Sequence, residues 1–210
     1  LGAVISYIIG RSNKGARDIW CWILSAVIFI ASLTLIGKET VYSLRGFCGL
    51  GLSFAADGFG VILAVLTGAI WLITTIFSKE YMAAERNRNR YYFFVFLTLG
   101  ATMGIFLSAD LFTTFIFFEI MSFTSFVLVM HDEEDFTVRS AKTYLAVAVI
   151  GGLVTLMGLF MMYQKAGTLN MAELTAFMQS RENPAEFYAI GVLILFGFAA
   201  KAGLFPLHIW

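Results

Sequence analysis

A polytopic, all-α bundle of transmembrane helices is the fold class predicted by three features of the chain. Hydrophobic residues make up 60% of its 210 positions and charged residues only 13%, far from the balance of a water-soluble domain. Apolar stretches of the roughly 20 residues needed to cross about 30 Å of hydrocarbon recur along its length. Between them, charged residues collect in short connections.

Residues 1–10 are apolar but too short to cross, and read as the tail of a truncated first span. Full spans follow at 19–36, 59–78, 91–109, 111–130, 141–163 and 187–210, giving six complete spans and one partial. Polar connections at 11–18, 37–57, 79–90, 131–140 and 164–186 separate them, and Asp110 alone marks a tight turn between spans 4 and 5. Within 164–186, Asn170 followed three residues later by Glu173 resembles a capping box. Met171, Leu174, Phe177 and Met178 then recur at helical spacing, so a short interfacial helix is predicted, stopped near Pro184. The stretch 37–57, with Gly46, Gly49 and Gly51 among Tyr42, Phe47 and Phe54, reads as a short hairpin.

Orientation follows from Lys and Arg, which are retained on the cytoplasmic side. Arg11, Lys14, Arg17, Lys79, Arg86, Arg88, Arg90, Arg139 and Lys142 fall at one side; Lys38, Arg45, Lys165 and Arg181 fall at the other. The first side is therefore predicted to be cytoplasmic, and a prokaryotic cytoplasmic membrane is the expected location. Lys+Arg and Asp+Glu both number 14, so no basic field argues for a nucleic acid partner. Cys21 and Cys48 have no CxxC spacing and fall near opposite membrane faces, which predicts neither a metal site nor a disulfide. The run from His131 to Asp135 reads as a solvated loop capping span 6, not a metal site. No basic region precedes the apolar opening and no cleavage site follows it, so no signal peptide is predicted. The missing starter Met predicts a fragment.

Two charges lie in the wrong solvent. Glu119 sits halfway along its span, roughly 12 Å from either end at about 1.5 Å per residue, where a charge costs about 2.5 to 3.5 kcal/mol on insertion scales. Lys201 lies inside the last span among Gly197, Ala199, Ala200, Ala202 and Gly203, small residues that leave room for water or a close helix. Pro206 lacks the N–H for the carbonyl of Ala202, so the helix is predicted to kink or break just after Lys201. Interrupted helices at membrane depth are tolerated where they line cavities or pack in protein, and they often mark transport paths. His208 follows and is a candidate relay, as imidazole titrates nearest neutral pH.

These groups predict an electrostatic switch. Burial disfavours the charged form of a lysine and a nearby carboxylate favours it, so moving the two apart, or bringing in a second cation, releases the proton. Plainer readings stay open beside it. The pair can be an inert tie between helices in a structural scaffold, Pro206 a structural kink, and His208 an interfacial hydrogen bonder. A ligand-binding receptor is disfavoured by the small supply of polar intramembrane groups.

The stretch Asp110-Leu-Phe-Thr-Thr-Phe-Ile-Phe-Phe-Glu119-Ile-Met-Ser-Phe-Thr-Ser resembles the helix 5 motif of the antiporter-like subunits of respiratory complex I, Mrp-type sodium/proton antiporters and membrane-bound hydrogenases. Lys201-Ala-Gly-Leu-Phe-Pro-Leu-His-Ile-Trp210 resembles their helix 7 motif. Weaker matches are Phe54-Ala-Ala-Asp57-Gly-Phe-Gly, Ser78-Lys-Glu-Tyr81, Ala141-Lys142-Thr-Tyr144 and Gly167-Thr-Leu. The resemblance implies that Glu119 and Lys201 form the first part of a proton half-channel, with Lys142 a further candidate relay beside His208. It implies two inverted five-helix repeats, helices 4 to 8 and 9 to 13. On that division residues 1–90 are N-terminal helices 1 to 3, and residues 91–210 are helices 4 to 7 of an incomplete first repeat. It also implies other membrane subunits as partners, redox cofactors carried by partner subunits, and none held here. A redox-driven pump of complex I or hydrogenase type is the first functional expectation, and an Mrp-type antiporter the alternative.

Overall fold

The computed structural model describes residues 1–44, 46–180, 185–205 and 207–208, excepting the side chains of Cys48 and Glu186; Arg45, Arg181, Pro184, Pro206 and Trp210 lie outside the described residues. In chain order the elements are α1 (Gly2–Ser12), α2 (Lys14–Leu33), β1 (Thr40–Leu44), β2 (Leu52–Ala56), α3 (Gly58–Tyr81), α4 (Arg88–Phe106), α5 (Leu111–Val129), α6 (Asp135–Ala166), α7 (Met171–Gln179) and α8 (Ala185–Ala202). β1 and β2 form a two-stranded sheet. The link between them is too short for a parallel crossover, so they make the expected hairpin.

Among the described residues, α2, α3, α5 and α6 are long and apolar enough to cross a membrane, and the apolar helix 187–202 is shorter. The six full spans of the sequence reading are thus supported for four. α4 has the length, but its first turn carries Arg88 and Arg90 and its interior Thr98, Gly100, Thr102 and Gly104. The last span ends at Ala202 instead of running to residue 210.

Side-chain placement explains why bilayer and not water surrounds these helices. On α3, Phe59, Ile62, Leu66, Ile70, Ile73 and Phe77 are exposed at helical spacing, while Gly60, Ala64, Gly68, Thr75 and Ser78 are buried. α6 repeats the pattern, with Ile150, Leu153, Met157 and Phe160 outside and Gly151, Gly152, Thr155 and Gly158 inside. Large apolar residues outside and small residues inside is the inverse of an amphipathic soluble helix. At Gly68 a Cβ would stand 3.1 Å from Phe29 Cα, so glycine permits the close approach of α2 and α3.

Two compact units emerge, Leu1–Thr40 with Ala55–Leu107 and Val41–Phe54 with Ser108–Trp210. In the first, α1 packs on α2 and α4, and α3 on α2 and α4, around a core of Ala3, Cys21, Tyr92, Phe96 and Leu99. In the second, α6 packs on α5 and α8, with a core that includes Phe112, Phe115, Leu159, Ile190 and Ile194. Packing therefore groups α4 with α1 to α3, a different grouping from the repeat-based division at residue 90.

Three local expectations change. The connection 11–18 is mostly helix: only Asn13 separates α1 from α2, and its side chain accepts the N–H groups of Gly15 and Ala16. Arg17 is 1% exposed, bridging to Asp18 at 2.6 Å and lying 4.9 Å from the Tyr92 ring centroid; it is a buried cation, not a loop residue. α6 begins at Asp135, earlier than expected, with Glu134 at its N-cap making no side-chain cap bond. α7 ends at Gln179, short of the expected stop. Its start is close to the expected box: Asn170 Oδ1 accepts the N–H groups of Ala172 and Glu173, but Glu173 reaches back to the Thr168 hydroxyl. Cys21 is a buried free thiol.

Candidate functional site

α5, α6 and α8 position the two intramembrane charges. Asp110 starts α5: its Oδ1 accepts the Thr113 N–H at 2.7 Å, and its Oδ2 accepts the Thr113 hydroxyl at 2.6 Å and the Ser53 N–H at 3.1 Å. This cap satisfies otherwise orphaned donors and fixes where the helix begins. Phe118, next to Glu119, packs edge-on against Phe198 of α8 with centroids 4.8 Å apart.

Small residues draw α8 onto α6. A Cβ at Gly151 would stand 2.8 Å from Ala200 Cβ and 3.1 Å from the Gly197 carbonyl oxygen, and a Cβ at Gly197 would collide with Thr155 and the Gly151 carbonyl. Backbones approach this closely only where side chains are absent. α8 then stops one residue beyond Lys201. Gly203 is left-handed at φ 67°, and the Leu204 N–H returns to the Ala199 carbonyl at 3.1 Å, a Schellman-type end. The helix ends just after Lys201, with Gly203 beyond it left-handed; Pro206 lies outside the described residues.

Lys201 Nζ donates to Ser125 Oγ at 3.2 Å and sits 4.3 Å from the centroid of the Tyr144 ring. Ser125 Oγ lies 2.6 Å from the Tyr144 hydroxyl and donates to the Met121 carbonyl at 2.6 Å. The consistent proton placement has Lys201 and Tyr144 both donating to Ser125. The ammonium is therefore held by a hydroxyl and a ring face from two helices.

Glu119 is placed elsewhere along the same helices. A Cβ at Gly152 would stand 2.5 Å from its Oε1, 2.9 Å from Cδ and 3.0 Å from Oε2, so the carboxyl group rests on α6 in space that only glycine leaves. Its Oε1 is buried without a hydrogen-bond partner among the described residues. Glu119 and Lys201 form no ion pair with each other. Ser125 is six residues beyond Glu119, about 9 Å of helix rise. Between them lies Ser122, buried, its hydroxyl on the Phe118 carbonyl at 2.9 Å. Glu119, Ser122 and Ser125 thus recur at three-residue steps on one side of α5.

Lys142 is exposed on α6, and His208 is exposed with its ring stacked on Phe205, centroids 5.6 Å apart. Neither is brought to Glu119 or Lys201. Ser122, Ser125, Tyr144 and Gly152 are absent from the site residues expected from the sequence. Their signals are the three-residue spacing from Glu119 for the serines and the Ala141-Lys142-Thr-Tyr144 match for the tyrosine; Gly152 has none among 19 glycines. Chemically, the arrangement holds a cation on neutral groups inside a low-dielectric bundle, with a carboxylate on the same helix as its hydroxyl partner.

Residues 108–210 match the family described as NADH:quinone oxidoreductase/Mrp antiporter, TM. They hold Glu119, Lys201 and the residues described above as touching them. Over these residues the chain matches the antiporter-like family. Family relatives include a Na(+)/H(+) antiporter subunit of Alkalihalophilus pseudofirmus, 31% identical over 160 residues that cover 76% of this chain and 32% of that protein. The Na(+)/H(+) antiporter subunit of the same name in Bacillus subtilis is 31% identical over 181 residues, 86% of this chain and 35% of that protein. The antiporter-like fold is seen in a chain of the membrane-bound sulfane sulfur reductase, an archaeal respiratory membrane complex, at TM-score 0.87 and 22% identity over all of this chain and 44% of that one. It is seen again in the Mrp complex of Dietzia sp. DQ12-45-1b, at TM-score 0.76 and 22% identity over 98% and 41%. The chain spans about a third of the length of the curated relatives it matches. This antiporter-like chain is a multi-pass protein of the cell membrane.

Proposed function

We propose that the protein containing this chain translocates protons, with Lys201 as the switched carrier, Glu119 as the charge that biases it, and Ser122, Ser125 and Tyr144 as the polar groups between and beside them. The carrying observation is that Lys201 rests on Ser125 and Tyr144 with no carboxylate of the described residues paired to it. Neutral partners stabilise an ammonium less than a contact ion pair does, so its charge depends on what happens nearby. Moving the Glu119 carboxylate closer stabilises the ammonium. Withdrawing it, or bringing up a second cation, releases the proton toward the Ser125 hydroxyl that accepts from Lys201.

On this reading residues 91–210 form helices 4 to 7 of a first repeat, and α4 and α8 complete the six full spans beside the partial α1. The protein works with other membrane subunits. The relatives named as Na(+)/H(+) antiporter components support an Mrp-type sodium/proton antiporter as its parent complex. A redox-driven complex is the second reading, favoured by the fold likeness to the sulfane sulfur reductase chain, and its redox cofactors then belong to partner subunits. The test uses the full-length protein with its partner subunits in proteoliposomes carrying a lumenal pH dye. Proton movement driven by a sodium gradient supports the antiporter reading, movement only with electron donor and acceptor supports the redox reading, and movement under neither rejects proton translocation.

A further inference from the structure

The strongest concentration of charge lies far from Glu119 and Lys201 in sequence, at one end of α1, α2 and α4. A cavity of about 930 Å³ opens there, with Lys14, Arg17, Arg86, Arg88 and Arg90 in its wall and Glu85 as the acidic residue among the described lining. Behind the wall, Asp18 receives both guanidinium groups: Arg17 at 2.6 Å and Arg88 at 3.4 Å. One carboxylate thus serves one buried and one part-buried cation, and the network keeps a positive charge in excess. Arg88 also spends one N–H on the Lys79 carbonyl, while its buried Nε has no hydrogen-bond partner among the described residues. α4 begins at this wall without a side-chain cap on its first N–H groups, which adds the positive end of a helix dipole.

The rest of the lining is the amides Asn87 and Asn89 and an aromatic wall of Tyr7, Phe93 and Phe94, with Tyr7 and Phe93 edge to face at 5.8 Å, and Val4, Ile5 and Ile8 of α1 lie exposed beside Tyr7. A soluble anion uses only the basic part. A phospholipid uses both, its phosphate on the arginines and its glycerol and upper acyl carbons on the aromatic wall. Basic recesses between helices at the cytoplasmic surface suit anionic headgroups in this way, each nearby cation contributing about 1 kcal/mol.

We infer that this cavity is a binding site for the phosphate headgroup of an anionic phospholipid. The inference is independent of the proton-carrying role of Lys201, and its test does not measure transport. Full-length protein is released from detergent in a native mass spectrometer after incubation with phosphatidylglycerol or with phosphatidylcholine. Retained phosphatidylglycerol should exceed phosphatidylcholine. Exposed Lys14 and Arg86, which lie outside the buried network, are neutralised as Lys14→Gln and Arg86→Gln; each should lower retention roughly fivefold. Glu85→Gln should raise it, an opposite sign that general damage to the fold does not produce. Equal retention of the two lipids, or the same retention in all variants, overturns the inference. Displacement of the lipid by millimolar inorganic phosphate assigns the cavity to a free anion and also overturns it.

Discussion

Lys201 of α8 donates to Ser125 of α5 at 3.2 Å, and that bond, not an ion pair with Glu119, fixes where the ammonium sits. The tight α6–α8 contact at Gly151 and Gly197 brings α8 in, and Tyr144 closes the other side of the ammonium with its ring. Two features of the pocket are therefore separable by substitution: a hydroxyl acceptor and an aromatic face.

Ser125→Ala removes an acceptor from a charged donor, an interaction of about 1.5 to 3 kcal/mol, so proton translocation should fall roughly tenfold or more with assembly unchanged. Tyr144→Phe keeps the ring over Lys201 and should cost less than Ser125→Ala. Tyr144→Leu loses both ring and hydroxyl and should cost more than Tyr144→Phe. Initial rates in proteoliposomes give the order, and an equal effect of Phe and Leu at 144 removes the ring from the account.

Neighbouring glycines should respond differently. Gly151→Ala sets a methyl against Ala200 and the Gly197 backbone, and overpacking of this kind costs about 1 to 3 kcal/mol. Its melting temperature in detergent should drop. At Gly152 the three nearest atoms are all of the Glu119 carboxyl group, the movable end of a side chain. Gly152→Ala should leave melting nearly unchanged and lower transport by displacing that carboxylate.

Asp110 tests how far α5 depends on its cap. Asp110→Ala loses the bonds to Thr113 and Ser53 and should destabilise by about 1 to 2 kcal/mol, typical of a lost cap. Asp110→Asn keeps an oxygen for the Thr113 N–H and should lie between the two. Thermal unfolding of the full-length protein measures both.

How much of this is legible in the sequence varies with the physics of each residue. Glu119 and Lys201 stand out because a charge in hydrocarbon needs an explanation whatever surrounds it. The end of α8 falls at the expected place, and Gly203 supplies a left-handed residue there. Arg17 reads as a loop cation because a lone arginine near a span end is ordinarily solvated, and only the arrival of Asn89 and Tyr92 from α4 buries it. Ser125 is marked in sequence by its spacing from Glu119 alone, since hydroxyls in apolar helices commonly bond their own backbone, as Ser122 does. Its second role exists only when α8 is packed alongside. Gly152 has the same character: its importance is the absence of atoms where a side chain from another helix must go.

The central claim, that Lys201 carries the transported proton, is tested most directly by proton flux through the reconstituted full-length protein bearing Lys201→Met, after its assembly and melting temperature are matched to the parent. Methionine keeps the length and removes the charge. The account predicts that flux is lost while assembly is normal. Flux equal to that of the parent would contradict it and leave Glu119 and Lys201 as structural charges alone.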